Sequence, residues 1–142
     1  VPKTLVDTCV LLDMLGDDPA WGQWSSEQIR DAIDGEGVVI NPIVYAEVSI
    51  HFASIEDLEA TLPPEDFCRE GLPWEAGFLA GRAFLQYRHK GGAKTSPLPD
   101  FYIGAHAVLD GYRLLTRNRK DFRSYFPALE IVAPERDSGG AV

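Results

Sequence analysis

The chain has 142 residues, 45% of them hydrophobic, 25% charged and 11% aromatic, with a formal charge of −9. That length predicts one domain, and the composition excludes a disordered chain or a fibre. Apolar runs such as 38–40 and 103–109 fall far short of the about 20 residues that cross a bilayer, so no membrane segment is expected.

Thr4-Leu5-Val6 predicts a short buried strand closed by Asp7, and residues 9–15 predict a short helix. Pro19 suits a first helical turn, and Trp21, Trp24, Ile29 and Ile33 predict a helix from about residue 19 to 34, stopped by Gly35 and Gly37. Val38-Val39-Ile40 is a second strand, ended by Asn41-Pro42. Residues 43–52 read as helix, and Ser54-Ile55-Glu56-Asp57 has the form of a capping box before another. A minor strand is expected around Phe67-Cys68. From Trp74 to about Tyr87 the pattern is helical, with Trp74, Phe78, Gly81 and Leu85 on one face; Ala76, Gly77, Ala80, Gly81 and Ala83 would let a neighbour approach closely. After a Gly- and Pro-rich loop, Asp100 opens a helix that breaks at Gly111. Residues 113–116 form a third strand, 121–125 a short helix and 129–132 a last strand. Short apolar strands alternating with helices predict an α/β sandwich with a mainly parallel sheet of four or five strands. It occupies residues 1–134 as one domain, and residues 135–142 read as a disordered tail.

Charge is unevenly spread. Residues 1–81 hold 3 basic side chains against 16 acidic ones, whereas residues 82–123 hold 9 against 3. Such asymmetry is compatible with a polyanionic partner despite the negative total. The two cysteines, Cys9 and Cys68, make no disulfide framework and no zinc site of the usual spacing, and no signal-peptide pattern is present. Reduced thiols and a cytoplasmic location are expected.

Ligands of open parallel sheets bind beyond the carboxyl ends of the strands. Asp7 follows the first strand, Glu47 lies in the helix after the second, and Asp121 comes shortly after the third, with Asp100 at the start of the helix that feeds it. Singly, each has a plain explanation as a turn residue, a helix cap or a surface charge. Together at one edge they would repel one another, and a hard divalent cation with oxygen ligands relieves that repulsion. The chemistry this points to is metal-assisted phosphodiester hydrolysis.

Four segments, residues 4–12, 41–47, 99–107 and 115–122, together resemble the PIN-domain family and more narrowly the VapC-type toxins of bacterial toxin–antitoxin pairs. The resemblance implies a PIN-like three-layer sandwich. It also implies an endoribonuclease that needs Mg²⁺ or Mn²⁺, cleaves RNA by metal-activated water, forms a homodimer, and is silenced by a small DNA-binding antitoxin. By position, Asp7, Glu47 and Asp100 match the family's three central acids, Thr8 its hydroxyl neighbour, and Thr116 the residue opening the fourth motif. Asp121 is assigned as the fourth acid, with Asn118 as a polar helper; either could fill that place. Cys9 departs from the family's usual Asn or Ser and reads as a small buried residue. Lys94, Arg117, Arg119 and Lys120 are candidates for guiding RNA phosphates. Two alternatives stay open: a catalytically weak PIN-fold partner of a DNA-binding antitoxin, and a DNA-directed nuclease.

Overall fold

A computed structural model describes residues 2–93 and 98–135 of the chain. Lys94 and residues 136–142 of the expected tail lie outside the described residues. Five strands run β1 (Thr4–Val6), β2 (Val38–Ile40), β3 (Phe67–Arg69), β4 (Arg113–Leu115) and β5 (Ile131–Val132). They form one all-parallel sheet in the order β3-β2-β1-β4-β5. Seven helices connect them: α1 (Thr8–Leu15), α2 (Gly22–Asp34), α3 (Pro42–Ser49), α4 (Ile55–Thr61), α5 (Trp74–His89), α6 (Pro99–Asp110) and α7 (Arg119–Tyr125). The α/β sandwich with a mainly parallel sheet is therefore as expected.

The sheet is short-stranded and buried on both faces. Leu5, Val6, Val38, Val39, Ile40, Leu114 and Leu115 are all buried, which is why these strands read as short apolar runs and not as alternating patterns. Between β1 and β4 the strand order changes direction, so the loops after these two strands diverge and leave a crevice at their carboxyl ends. The ladder runs into that crevice: Asp7 N–H donates to the Leu115 carbonyl at 2.9 Å, and Thr116 N–H to the Val132 carbonyl at 3.0 Å.

Polar residues at the strand ends start the helices. Asp7 is the N-cap of α1, accepting from Thr8 N–H at 2.8 Å. Asn41 caps α3 by accepting from Val44 N–H at 3.0 Å, with Pro42 at the first helical position, where its missing N–H costs nothing. Gly111 ends α6 with φ +70, the left-handed conformation that glycine adopts freely. At Gly104 in α6 the Phe126 ring lies so close that a Cβ would stand 2.4 Å from it, which seats α6 against the segment after α7.

Two expectations change in detail, and the close approach expected of the α5 small residues is met. The helix placed from residue 19 starts at Gly22, because the Asp18 carboxylate captures the N–H groups of Ala20 and Trp21 in a turn. Asp100 does not cap α6; it sits in the first turn behind Pro99. On α5 the inward face is Ala76, Ala80 and Ala83, which lets α6 pack closely, while Trp74 (95% exposed) and Phe78 (65%) face outward. No described helix is long and apolar enough to cross a membrane.

Candidate active site

The carboxyl ends of β1 and β4 bring Asp7 and Thr116 together. The Thr116 hydroxyl donates to Asp7 Oδ2 at 2.7 Å in a buried setting, and Asn118 N–H donates to the Thr116 oxygen at 3.0 Å. Asp7 thus accepts from a backbone amide on one oxygen and a hydroxyl on the other, with the Cys9 thiol 3.5 Å from the second. Burial raises the Asp7 pKa above its ordinary value; the three donors oppose that shift and the Glu47 charge adds to it.

Glu47 projects from α3 toward the same place. The Thr8 hydroxyl donates to Glu47 Oε1 at 2.6 Å, so Thr8 binds one acid through its amide and the other through its side chain. Glu47 is half-buried. Asp100 comes from the first turn of α6. Its pKa is pushed up to about 7, first by burial and then by the charges of Asp7, Glu47 and Asp121. Four carboxyls from four separate segments therefore share one electrostatic environment at the crevice. Asp121 lies at its exposed rim, in the first turn of α7, where Asn118 Nδ2 donates to Oδ2 at 2.8 Å. Asn118 and Asp121, the two candidates for the fourth place, are thus hydrogen-bond partners.

The Cys9 thiol is pushed up to about 12, by burial first and the Asp7 charge second. It is a neutral donor at physiological pH and no nucleophile. Of the basic candidates, Arg117 is committed elsewhere: its Nε lies 2.7 Å and its Nη2 3.2 Å from the carboxylate of buried Asp13, and the guanidinium stands 5.6 Å from the Trp21 ring centroid. Asp13 also accepts from the Ser25 hydroxyl at 2.8 Å. Arg119 donates to the Ala133 carbonyl at 3.1 Å, and Lys120 is exposed. The Asp13–Arg117 pair joins residues 104 apart and has no signature in the sequence.

A second group of ligand atoms occurs on the far side of Asn41. Glu70, His106 and Asp110 place one ligand atom each within 4.8 Å of one another. Their donors and acceptors are already engaged. Asn41 Nδ2 lies 3.1 Å from His106 Nδ1; because Asn41 Oδ1 accepts from Val44 N–H, the amide nitrogen donates and Nδ1 accepts. Nε2 then carries the proton and donates to Asp110 Oδ2 at 3.0 Å, while Tyr112 donates to Glu70. Buried His106 thereby holds the residue that caps the Glu47 helix, a role the sequence reading missed; the Asn-Pro pair at the strand end was its visible half.

No three of the acids at the strand ends bring oxygens as close as 4.8 Å among the described residues. Mg²⁺ commonly touches only a few carboxylates while keeping several waters. The donor set is all oxygen, and the Asp100 pKa is raised by burial first and then by the charges of Asp7, Glu47 and Asp121. Such a site fits a hard divalent cation.

Residues 4–125 match the sequence pattern of the PIN domain family. No curated protein sequence matches the chain. Among solved structures, the fold is similar to a chain in VapBC2 from Rickettsia felis bound to a DNA fragment from its promoter (TM-score 0.70, 18% identity, covering 93% of this chain and 98% of that one). It is also similar to a chain of a toxin–antitoxin complex from Klebsiella pneumoniae (TM-score 0.69, 22% identity, 94% and 98% covered). A third similar chain is in FitAcB from Neisseria gonorrhoeae (TM-score 0.68, 15% identity, 92% and 97% covered).

Proposed function

The chain belongs to the PIN domain family, and from that premise we propose that it is a divalent-metal-dependent endoribonuclease, the toxin of a VapBC-like toxin–antitoxin pair acting in the cytoplasm. The observation that carries this reading is the convergence of acids on one crevice: Thr8 joins Asp7 to Glu47 through its amide and hydroxyl, and Asp100 feels the charges of Asp7, Glu47 and Asp121 there. The toxin assignment draws support from the similar folds found in toxin–antitoxin complexes. It brings with it a small DNA-binding antitoxin as partner and a homodimer as the assembly.

In this reading Asp7, Glu47 and Asp100 would hold Mg²⁺ or Mn²⁺, with Asp121 completing the site from the rim. When bound, the ion supplies polarisation of the phosphodiester and acidity to water at neutral pH. The protein's own part is placement. Thr116 and the Thr8 amide fix both oxygens of Asp7, so its carboxylate does not rotate. The Thr8 hydroxyl fixes Glu47, whose helix is anchored in turn by the Asn41–His106 contact. Asn118 orients Asp121. Burial and the neighbouring acids raise the Asp100 pKa to about 7, and a bound cation would favour its carboxylate form. Lys120 and Lys90, exposed on the basic stretch, supply attraction for the RNA backbone.

The test is incubation of purified protein with total RNA and with matched single-stranded DNA, in Mg²⁺ or Mn²⁺, beside Asp7→Asn. RNA cleavage by the wild type alone supports the reading. Cleavage of DNA only, or equal cleavage by the variant, removes it.

A further inference from the structure

His106 is fully sealed from solvent on α6, yet both of its ring nitrogens are used. Nε2 donates to Asp110 Oδ2 at 3.0 Å, one turn along the same helix, and Nδ1 meets Asn41 Nδ2 at 3.1 Å, 65 residues away in the chain. An apolar side chain would fill this place without needing partners. What the imidazole adds is direction. The two amide atoms of Asn41 have opposite tasks, Oδ1 accepting from Val44 N–H and Nδ2 donating to Nδ1. Turning that amide over would set donor against donor at Val44 and acceptor against acceptor at His106. The Nδ1 lone pair therefore decides which atom caps α3, and Asp110 keeps the ring proton on the other nitrogen.

The helix so capped has only eight residues and carries Glu47 in its second turn. Val44 and Val48 bury one of its faces. At its start the packing is incomplete: an open cleft of about 260 Å³ borders Asn41, Pro42 and Tyr45. Side chains do not close that end of α3, so hydrogen bonds seat it. Ligand constellations tolerate displacements of only about 0.5 Å, and Glu47 Oε1 must meet the Thr8 hydroxyl at 2.6 Å. We propose that His106 is a positioning residue for the candidate cation site: through the Asn41 amide it fixes the start of α3, and with it the place where Glu47 meets Thr8 and the cation. The inference rests on the metal-dependent reading above and adds to it a residue that touches neither the ion nor its ligands.

The experiment records the carboxyl carbon resonance of Glu47 in metal-free protein by NMR, then titrates the same samples with Mn²⁺ by calorimetry. His106→Leu leaves Asn41 Nδ2 without its acceptor; it should shift the Glu47 resonance and raise the Mn²⁺ Kd by roughly ten-fold. His106→Asn sets an amide oxygen near the position of Nδ1 and should recover both readouts. Asn41→Ser keeps a capping oxygen for Val44 N–H but is too short to reach His106, and it should behave as His106→Leu does. That variant decides the matter if the leucine variant folds poorly. Glu70→Gln, in the same group of side chains but outside this row of bonds, should change neither readout. A purely structural role lowers the melting temperature and moves neither the Glu47 resonance nor Kd. That result in His106→Leu and Asn41→Ser overturns the proposal, as does a His106→Asn variant that recovers neither readout. A Glu47 resonance that follows His106 in a protein whose wild type binds no Mn²⁺ would remove the metal reading and leave the positioning role standing. Wild-type Mn²⁺ binding with both readouts unmoved by the substitutions would do the reverse.

Discussion

Thr116 donates its hydroxyl to Asp7 across 109 residues of chain, at 2.7 Å and out of contact with solvent. The contact ties the carboxyl ends of β1 and β4 together and fixes the acid nearest the sheet. Thr116→Val keeps the shape and removes the donor, leaving a buried carboxylate short of one partner. The expected cost is about 1–3 kcal/mol in unfolding free energy, and the Asp7 pKa should move further up. Thr116→Ser should recover both. Denaturant titration and NMR of the Asp7 carboxyl check this; equal stability of the valine and serine variants would contradict it.

Asp100 makes the metal-free protein sensitive to pH in an unusual direction. Its carboxyl sits at about 7 in the folded chain against an ordinary 3.8. Between these values the folded state binds more protons than the unfolded one, so stability falls as pH rises from about 4 to about 7 and the loss is complete above that range. Asp7 is shifted in the same direction. Asp100→Asn removes a charge from the cluster and should raise the metal-free melting temperature at pH 8 while leaving it nearly unchanged at pH 4. The same substitution should abolish RNA cleavage. A melting temperature that climbs from pH 4 to 7 in EDTA would run against the like-charge cluster.

Arg117 is expected to matter for stability more than for RNA. Removing it leaves Asp13, nearly sealed in the protein, without its ionic partner. For an inner partner this buried and an outer one part-exposed, Arg117→Ala should cost about 2–4 kcal/mol. Asp13→Asn combined with Arg117→Ala should restore part of it. Thermal unfolding of the two single variants and the double variant gives the coupling; a strictly additive result would mean the pair contributes nothing.

The site's chain positions were more legible than its contacts. Asp7, Asn41 and Thr116 stand where short apolar runs stop, and in a parallel sheet every such stop on neighbouring strands falls at one edge. Glu47 and Asp100 follow from helices that begin at that edge. Contacts made through tertiary packing left no local trace: the Arg117–Asp13 pair, the His106–Asn41 clasp, and the edge-to-face rings of Tyr87, Phe101 and Tyr125 each join distant segments. On α5 the periodicity of Trp74, Phe78 and Leu85 marks the helix, and its small residues mark the face that meets α6. Close packing on α6 selects alanines there, and the larger side chains turn out to water.

The most direct measurement is calorimetric titration of the metal-free protein with Mn²⁺ at pH 7, run in two buffers of different ionisation enthalpy. The wild type should bind with release of protons, because Asp100 is about half protonated beforehand. Asp7→Asn and Asp100→Asn should weaken binding strongly, whereas Glu70→Gln, in the other acid and histidine group, should leave it intact. Binding that survives both aspartate substitutions, or is lost only with Glu70→Gln, would contradict a cation site at the strand ends.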